Sequence, residues 1–293
     1  MQIHEPQIRS RQNRLIRWVR SLGDREERQR QGLTVIEGRR LVAEALEAGV
    51  TLPVVLYTPE LAGHSEGAAL LERAARAGSR LTCVAPGALE ACAQTVTPQG
   101  VVAVARFCER TLPEGELPLL RGPQPLVAGA GVSAEEGAAL VVVLDGVQDP
   151  GNVGTIARAG LAAGIGALLL GPGTAELSSP KTLRASAGAA FRVRAWRVFS
   201  WEVLGRLHGM GWRVVATSAR GGKPPFAVDL TGPTVILLGN EARGLDPILG
   251  DMADTVVSIP MPGGAESLNV AMAGTILLYE SVRQRAVVRP GGL

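Results

Sequence analysis

Along the first hundred residues the apolar positions alternate between two periods. Leu15, Trp18, Val19 and Leu22 recur at helical spacing inside an arginine-rich stretch, predicting a basic amphipathic helix over about 9–30. Short apolar runs at 34–37, 52–57, 81–85 and 101–107 read as strands, with helical segments at 38–48, 65–78 and 86–93 between them. That order predicts a small α/β layer domain over residues 1–108. From 109 to 138 both periods break at Pro113, Pro118, Pro123 and Pro125 and at several glycines, which predicts a long, mobile linker.

A second domain, 139–293, is predicted beyond it. Strands are expected at 139–144, 167–170, 193–196, 212–217, 234–238 and 255–259. Helices are expected at 152–164, from Pro180, at 200–209 and from Leu268 to about Gln284. The runs LVVVLD, ALLLG and TVILLG are continuously apolar, as in a parallel sheet covered on both faces.

Composition narrows the class. Hydrophobic residues make up 46% of the 293, enough for two cores and too many for a disordered chain, whereas aromatics are only 3%. No apolar run approaches the roughly 18 residues of a membrane span, and the charged N-terminus does not suit a secretory signal. Cys83, Cys92 and Cys108 form no CxxC, and His4, His64 and His208 stand far apart. Neither a disulfide framework nor a metal site is expected, and a reducing cytoplasm is the simplest home. The net charge is only +3, but the first 40 residues hold ten Arg against five acidic residues. An arginine-covered helix face is what a solvated helix shows and also what contacts RNA phosphates, with Arg11, Arg14 and Arg17 as candidates.

Three strand ends carry unusual loops. Asp149-Pro150-Gly151-Asn152 leads into a helix that bears Arg158 six residues on; it is at least a turn with Asn152 as an N-cap. Leu238-Gly239-Asn240-Glu241-Ala242-Arg243-Gly244 runs a buried strand into a polar, glycine-bounded loop. Ile259-Pro260-Met261-Pro262-Gly263-Gly264 is followed by Ser267, Leu268 and Asn269 at a helix start, where Ser267 or Asn269 also suits a cap. Together they put polar groups at the carboxyl ends of parallel strands, where α/β sheets bind small ligands. A GxGxxA segment, Gly129–Ala134, follows a proline-rich stretch instead of a strand, so an NAD-binding Rossmann reading is disfavoured.

The segments DPGNVGTIARA (150–160), LLGNEARGL (237–245) and IPMPGGAESLNVAMAG (259–274) resemble, in order and spacing, the signature motifs of the SpoU (TrmH-type) branch of the SPOUT RNA methyltransferases. SSPKTLRASAGA (178–189) is also similar. RLIRWVRSL, VIEGRRLVAEAL and TPQGVVAVA within 14–107 resemble, more loosely, the substrate-binding domain often fused ahead of it, a small α/β sandwich similar to RNA-binding ribosomal proteins. The resemblance implies methyl transfer from S-adenosylmethionine to a ribose 2′-hydroxyl of RNA, a C-terminal trefoil knot and a homodimer. It places the cofactor against Gly239, Ile259 and Leu268, with Thr217 and Met261 beside them. Arg158 matches the family arginine, and Asn152, Glu241, Ser267 and Asn269 match the polar positions that orient it, the ribose and the cofactor. Holding a guanidinium neutral at pH 7 costs at least roughly 7 kcal/mol, so Arg158 is expected to bind phosphate and stabilise the developing oxyanion as a cation. The separate N-terminal domain favours ribosomal RNA over transfer RNA. A non-catalytic RNA-binding or ribosome-assembly protein of the same fold is the alternative of another class.

Overall fold

The computed structural model describes residues 6–95, 98–112 and 140–288. They fall into two compact units: residues through Cys108 with Leu177–Phe191, and Glu109–Glu176 with Arg192 onward. Most of the expected linker, including the Gly129–Ala134 segment, lies outside the described residues.

The first unit contains α1 (Arg14–Ser21), α2 (Arg25–Gln31), β1 (Leu33–Glu37), α3 (Arg39–Glu47), β2 (Val54–Tyr57), α4 (Pro59–Gly63), α5 (Ser65–Arg76), β3 (Arg80–Cys83), α6 (Pro86–Glu90) and β4 (Val101–Arg106). Its sheet runs β1-β4-β2-β3, with β4 antiparallel to both neighbours and β2 parallel to β3. The single basic helix expected over 9–30 is two helices. Asn13 caps α1 by accepting from Leu15 N at 2.9 Å, and Asp24 opens α2 by accepting from Glu26 N at 2.8 Å. The Asp24 carboxylate satisfies amides that a continuous helix would have bonded to its own carbonyls, so the chain turns at Gly23. Ile16, Val19 and Leu22 are wholly buried in a core with Val35, Leu56 and Val102, which leaves the arginines of α1 outward.

The second unit contains β5 (Arg110–Thr111), β6 (Leu140–Leu144), α7 (Pro150–Ala162), β7 (Ala167–Leu170), β8 (Ala195–Arg197), α9 (Glu202–Gly209), β9 (Arg213–Thr217), β10 (Thr234–Leu238), α10 (Pro247–Asp251), β11 (Thr255–Val257) and α11 (Val270–Val288); α8 (Pro180–Ala185) lies in the segment that belongs to the first unit. The sheet runs β11-β9-β10-β6-β7-β8-β5 and every pair is parallel. β6 and β10 are buried at every position, as their unbroken apolar runs require. Arg110 and Thr111, expected to open the linker, instead form the edge strand β5 beside β8. Glu109 is joined to the same edge by Arg197 at 2.7 Å.

The span 139–293 is interrupted at Leu177–Phe191. Thr34 Oγ1 donates to Ser178 O at 2.8 Å, and Arg184 lies 3.9 Å from the buried Glu37 carboxylate, so this segment packs on β1. No helix among the described residues is long and apolar enough to cross a membrane.

Candidate active site

The carboxyl ends of β6, β9, β10 and β11 all open on one side of the second sheet, and their loops build the site. After β6 the chain turns at Gly146, whose φ of 65° lies in the left-handed region, and reaches Asp149. Asp149, not Asn152, caps α7: its carboxylate accepts from Asn152 N at 3.2 Å, with Pro150 in the first helical turn. A Cβ on Gly151 would stand 2.7 Å from that carboxylate, so glycine there keeps the cap. Asn152 is thereby freed from capping, and its side chain points to other partners.

Those partners come from the other two loops. Asn152 Nδ2 donates to Glu241 Oε1 at 2.6 Å, and Asn269 Nδ2 donates to Asn152 Oδ1 at 2.9 Å. Asn269 also caps α11, its Oδ1 accepting from Ala271 N at 2.9 Å and Met272 N at 3.3 Å; α11 therefore starts at Val270, two residues later than expected. Its two readings, cap and site residue, use different atoms of one amide.

Beside this amide line lies a cavity of about 540 Å³. Thr217, Gly239, Ile259, Met261 and Leu268 all line it, with Glu241 and Ser267. Leu238, Ala273 and Leu277 add apolar wall, and Ser218, Asn240 and Ala242 add polar atoms. Thr217 donates its hydroxyl to Leu237 O at 2.8 Å, which leaves the oxygen as an acceptor. Gly239 is obligatory for steric reasons, since a Cβ would lie 2.5 Å from the Gly244 carbonyl carbon. The size suits a drug-sized ligand, and the mix of apolar wall with a few polar groups fits a nucleoside-sized cofactor.

Arg158 is not drawn into this network. It is exposed on α7 and makes no hydrogen bond or ion pair with the described residues. Ser267 is likewise exposed, without a hydrogen bond among them. In the first unit Arg14 and Arg17 are exposed without ion pairs among the described residues, but Arg11 is engaged: its Nε donates to Gly87 O at 2.9 Å and its Nη2 to Glu90 at 3.2 Å. A charge already neutralised by a carboxylate has less to offer a phosphate, which separates Arg11 from its two neighbours.

Two residues not singled out from the sequence hold the loop after β10. Asp145 Oδ2 accepts from Asp246 N at 2.7 Å, and burial pushes the Asp145 carboxyl above its usual range. Asn240 donates from Nδ2 to Gly146 O at 2.7 Å. The sequence signal was an Asn four residues before a glycine, the composition of a side-chain-closed turn.

Comparison with known proteins decides what this site belongs to. Residues 139–279 match the SpoU rRNA methylase family, and residues 13–103 match the MRM3-like substrate binding domain. The 23S rRNA (guanosine(2553)-2′-O)-methyltransferase RlmP of Bacillus subtilis is 32% identical over 93% of this chain and 98% of its own length. The 23S rRNA (uridine(2479)-2′-O)-methyltransferase of Streptomyces viridochromogenes is 33% identical over 95% of this chain and 92% of its own. The chain belongs to the SpoU family. As a SpoU methylase it is an RNA ribose 2′-O-methyltransferase that uses S-adenosylmethionine. The crystal structure of the SpoU methyltransferase AviRb from Streptomyces viridochromogenes, in complex with the cofactor AdoMet, covers 94% of this chain and all of that one, with a TM-score of 0.77 and 32% identity. An AdoMet-bound rRNA methyltransferase from Sinorhizobium meliloti superposes with the same TM-score at 29% identity.

Proposed function

We propose that this SpoU enzyme methylates a ribose 2′-hydroxyl of 23S ribosomal RNA, working in the cytoplasm as a homodimer. The observation that carries the reading is the Glu241–Asn152–Asn269 line, one residue from each of the three strand-end loops, at a cofactor-sized cavity. The relatives named for 23S rRNA match nearly end to end, so the likeness includes the substrate-binding unit and not the catalytic unit alone. Transfer RNA is the less favoured substrate.

S-adenosylmethionine, held by Thr217, Gly239, Ile259, Met261 and Leu268, supplies an activated methyl group. What remains for the protein is to place the 2′-oxygen in line with that methyl and to manage its proton and charge. Glu241 and Ser267 line the cavity and present oxygens to the ribose, while Asn152 and Asn269 fix Glu241 and the start of α11. Arg158, whose guanidinium has no hydrogen bond or ion pair among the described residues, binds the RNA phosphate and stabilises the developing oxyanion. Arg14 and Arg17 on α1 take further phosphates, with Arg11 in a lesser part because of Glu90.

Two features of the second unit support the remaining parts of the reading. The chain returns from the edge strand β11 to pack α11 against β10 and α7, with Gly274 against Leu238, beside the loop after β10; a trefoil knot of the SPOUT kind accounts for that path. On α11, Ala271, Leu277 and Leu278 are buried, while Met272, Ile276 and Tyr279 form an exposed apolar stripe on another side. A helix apolar on two sides needs a second cover, which a partner protomer provides.

The test is transfer of labelled methyl to ribosomal and transfer RNA purified from cells lacking the enzyme, with wild type and Arg158→Ala. Label in 23S rRNA, lost in the variant, is the expected result. Label confined to transfer RNA overturns the substrate, and RNA binding without transfer to naked RNA or to ribosomal particles overturns the reaction.

A further inference from the structure

The loop after β10 is closed by one side chain. Asn240 pairs its own backbone N–H and C=O with Gly244, at 2.9 Å in both directions. Its Oδ1 accepts from Ala242 N and Arg243 N, both at 3.0 Å, and its Nδ2 donates to Gly146 O at 2.7 Å. The amide thus ties the cavity-lining loop 239–245 to the turn after β6. That turn is anchored in its own right: Gly146 N donates to Thr174 Oγ1 at 3.1 Å, and Thr174 Oγ1 donates to Leu144 O at 2.8 Å. Gly239, Asn240 and Glu241 line the cavity, and Glu241 also reaches Asn152. A shift of this loop therefore moves the cavity wall and one end of the amide line together.

We propose that Asn240 is the positioning residue of the cofactor pocket: its Nδ2–H to the Gly146 carbonyl sets the wall against which S-adenosylmethionine lies. The inference rests on the assignment of this cavity to the cofactor. Asn240 acts through the loop and the turn, not on the reacting atoms. The element that makes it specific is the donor, because the two loop amides would be equally satisfied by a carboxylate oxygen.

That distinction sets the experiment. Asn240→Asp keeps the shape and the acceptor but faces a carboxylate to the Gly146 carbonyl; once protonated, the acid donates again. Titration calorimetry of the full-length protein with S-adenosylhomocysteine reads the effect across pH. The charged groups near position 240 are Asp145 beside Gly146, Asp246 bonded to Asp145, and Glu241 and Arg243 on its own loop, so wild type is measured over the same range as their control. Asn240→Asp is expected to bind about tenfold or more weakly at neutral pH and to recover toward wild type as pH falls. Its RNA affinity and melting temperature are expected to stay near wild type. Equal cofactor affinity of the two proteins at every pH overturns the inference. So does a loss matched by equal losses in RNA affinity and melting temperature, which marks a fold defect. Failure of wild type to bind S-adenosylhomocysteine would instead fault the assignment of the cavity.

Discussion

Asn269 donates its side-chain N–H to the side-chain oxygen Oδ1 of Asn152 at 2.9 Å across a sequence separation of 117 residues. The other end of the Asn152 amide donates to Glu241 at 2.6 Å, so this one side chain joins all three strand-end loops. Asn152→Ala removes both bonds at an outward position, with little loss of core packing. Turnover is expected to fall on the order of a hundredfold, the scale of a misplaced reacting group, while the melting temperature changes little. Single-turnover methyl transfer beside thermal melts checks this; a matching collapse in melting temperature would make the amide structural.

Arg158 stands apart from that line and from the cavity wall. Arg158→Ala is therefore expected to leave S-adenosylhomocysteine affinity and stability near wild type, within about 0.5 kcal/mol for stability, and to abolish measurable turnover. Loss of cofactor binding in the variant would show that the arginine acts on the cavity instead.

The N-terminal arginines are not equivalent. Neutralising Arg14 and Arg17 to Gln is expected to weaken RNA binding and to lower the slope of log affinity against log salt by roughly 1–2. Arg11→Gln, whose charge already meets Glu90, is expected to change that slope less. Filter binding at several salt concentrations separates the two, and equal slopes for all three proteins would remove α1 from the RNA interface.

The exposed stripe on α11 predicts the assembly. Ile276→Asp, midway between Met272 and Tyr279, is expected to convert a dimer to monomers in light scattering after gel filtration. A variant as dimeric as wild type would place the interface elsewhere.

Thiol chemistry offers a check on burial. Cys108 is exposed, whereas Cys83 and Cys92 are buried, and burial pushes the Cys92 thiol up to about 11. One thiol is expected to react with a maleimide in the native protein and three in denaturant. Between the ordinary thiol range and about 11 the unfolded chain gives up a proton that the folded one keeps, so Cys92 lowers stability as pH rises across that window. Denaturant midpoints at two alkaline pH values, with Cys92→Ala as control, measure it.

Much of this was fixed locally in the chain. Unbroken apolar runs gave β6 and β10, and the three loops were visible because glycine and proline beside polar residues mark strand ends. Local competition was harder to read. Asp24 splits the basic helix, and Asp149 opens α7 three residues ahead of Asn152, because a helix starts where the first side-chain acceptor satisfies its leading amides. What only the tertiary structure decided is which atoms meet. Periodicity says that a strand is buried but not which strand lies beside it, so the order that sets β6 next to β10 is invisible in the chain. That order brings Asn152 to Glu241 and Gly146 to Asn240; separately, contacts within the first unit bring Leu177–Phe191 onto β1. Each of these is a contact between residues far apart in sequence, bought by the burial of apolar surface in cores whose packing no local pattern encodes.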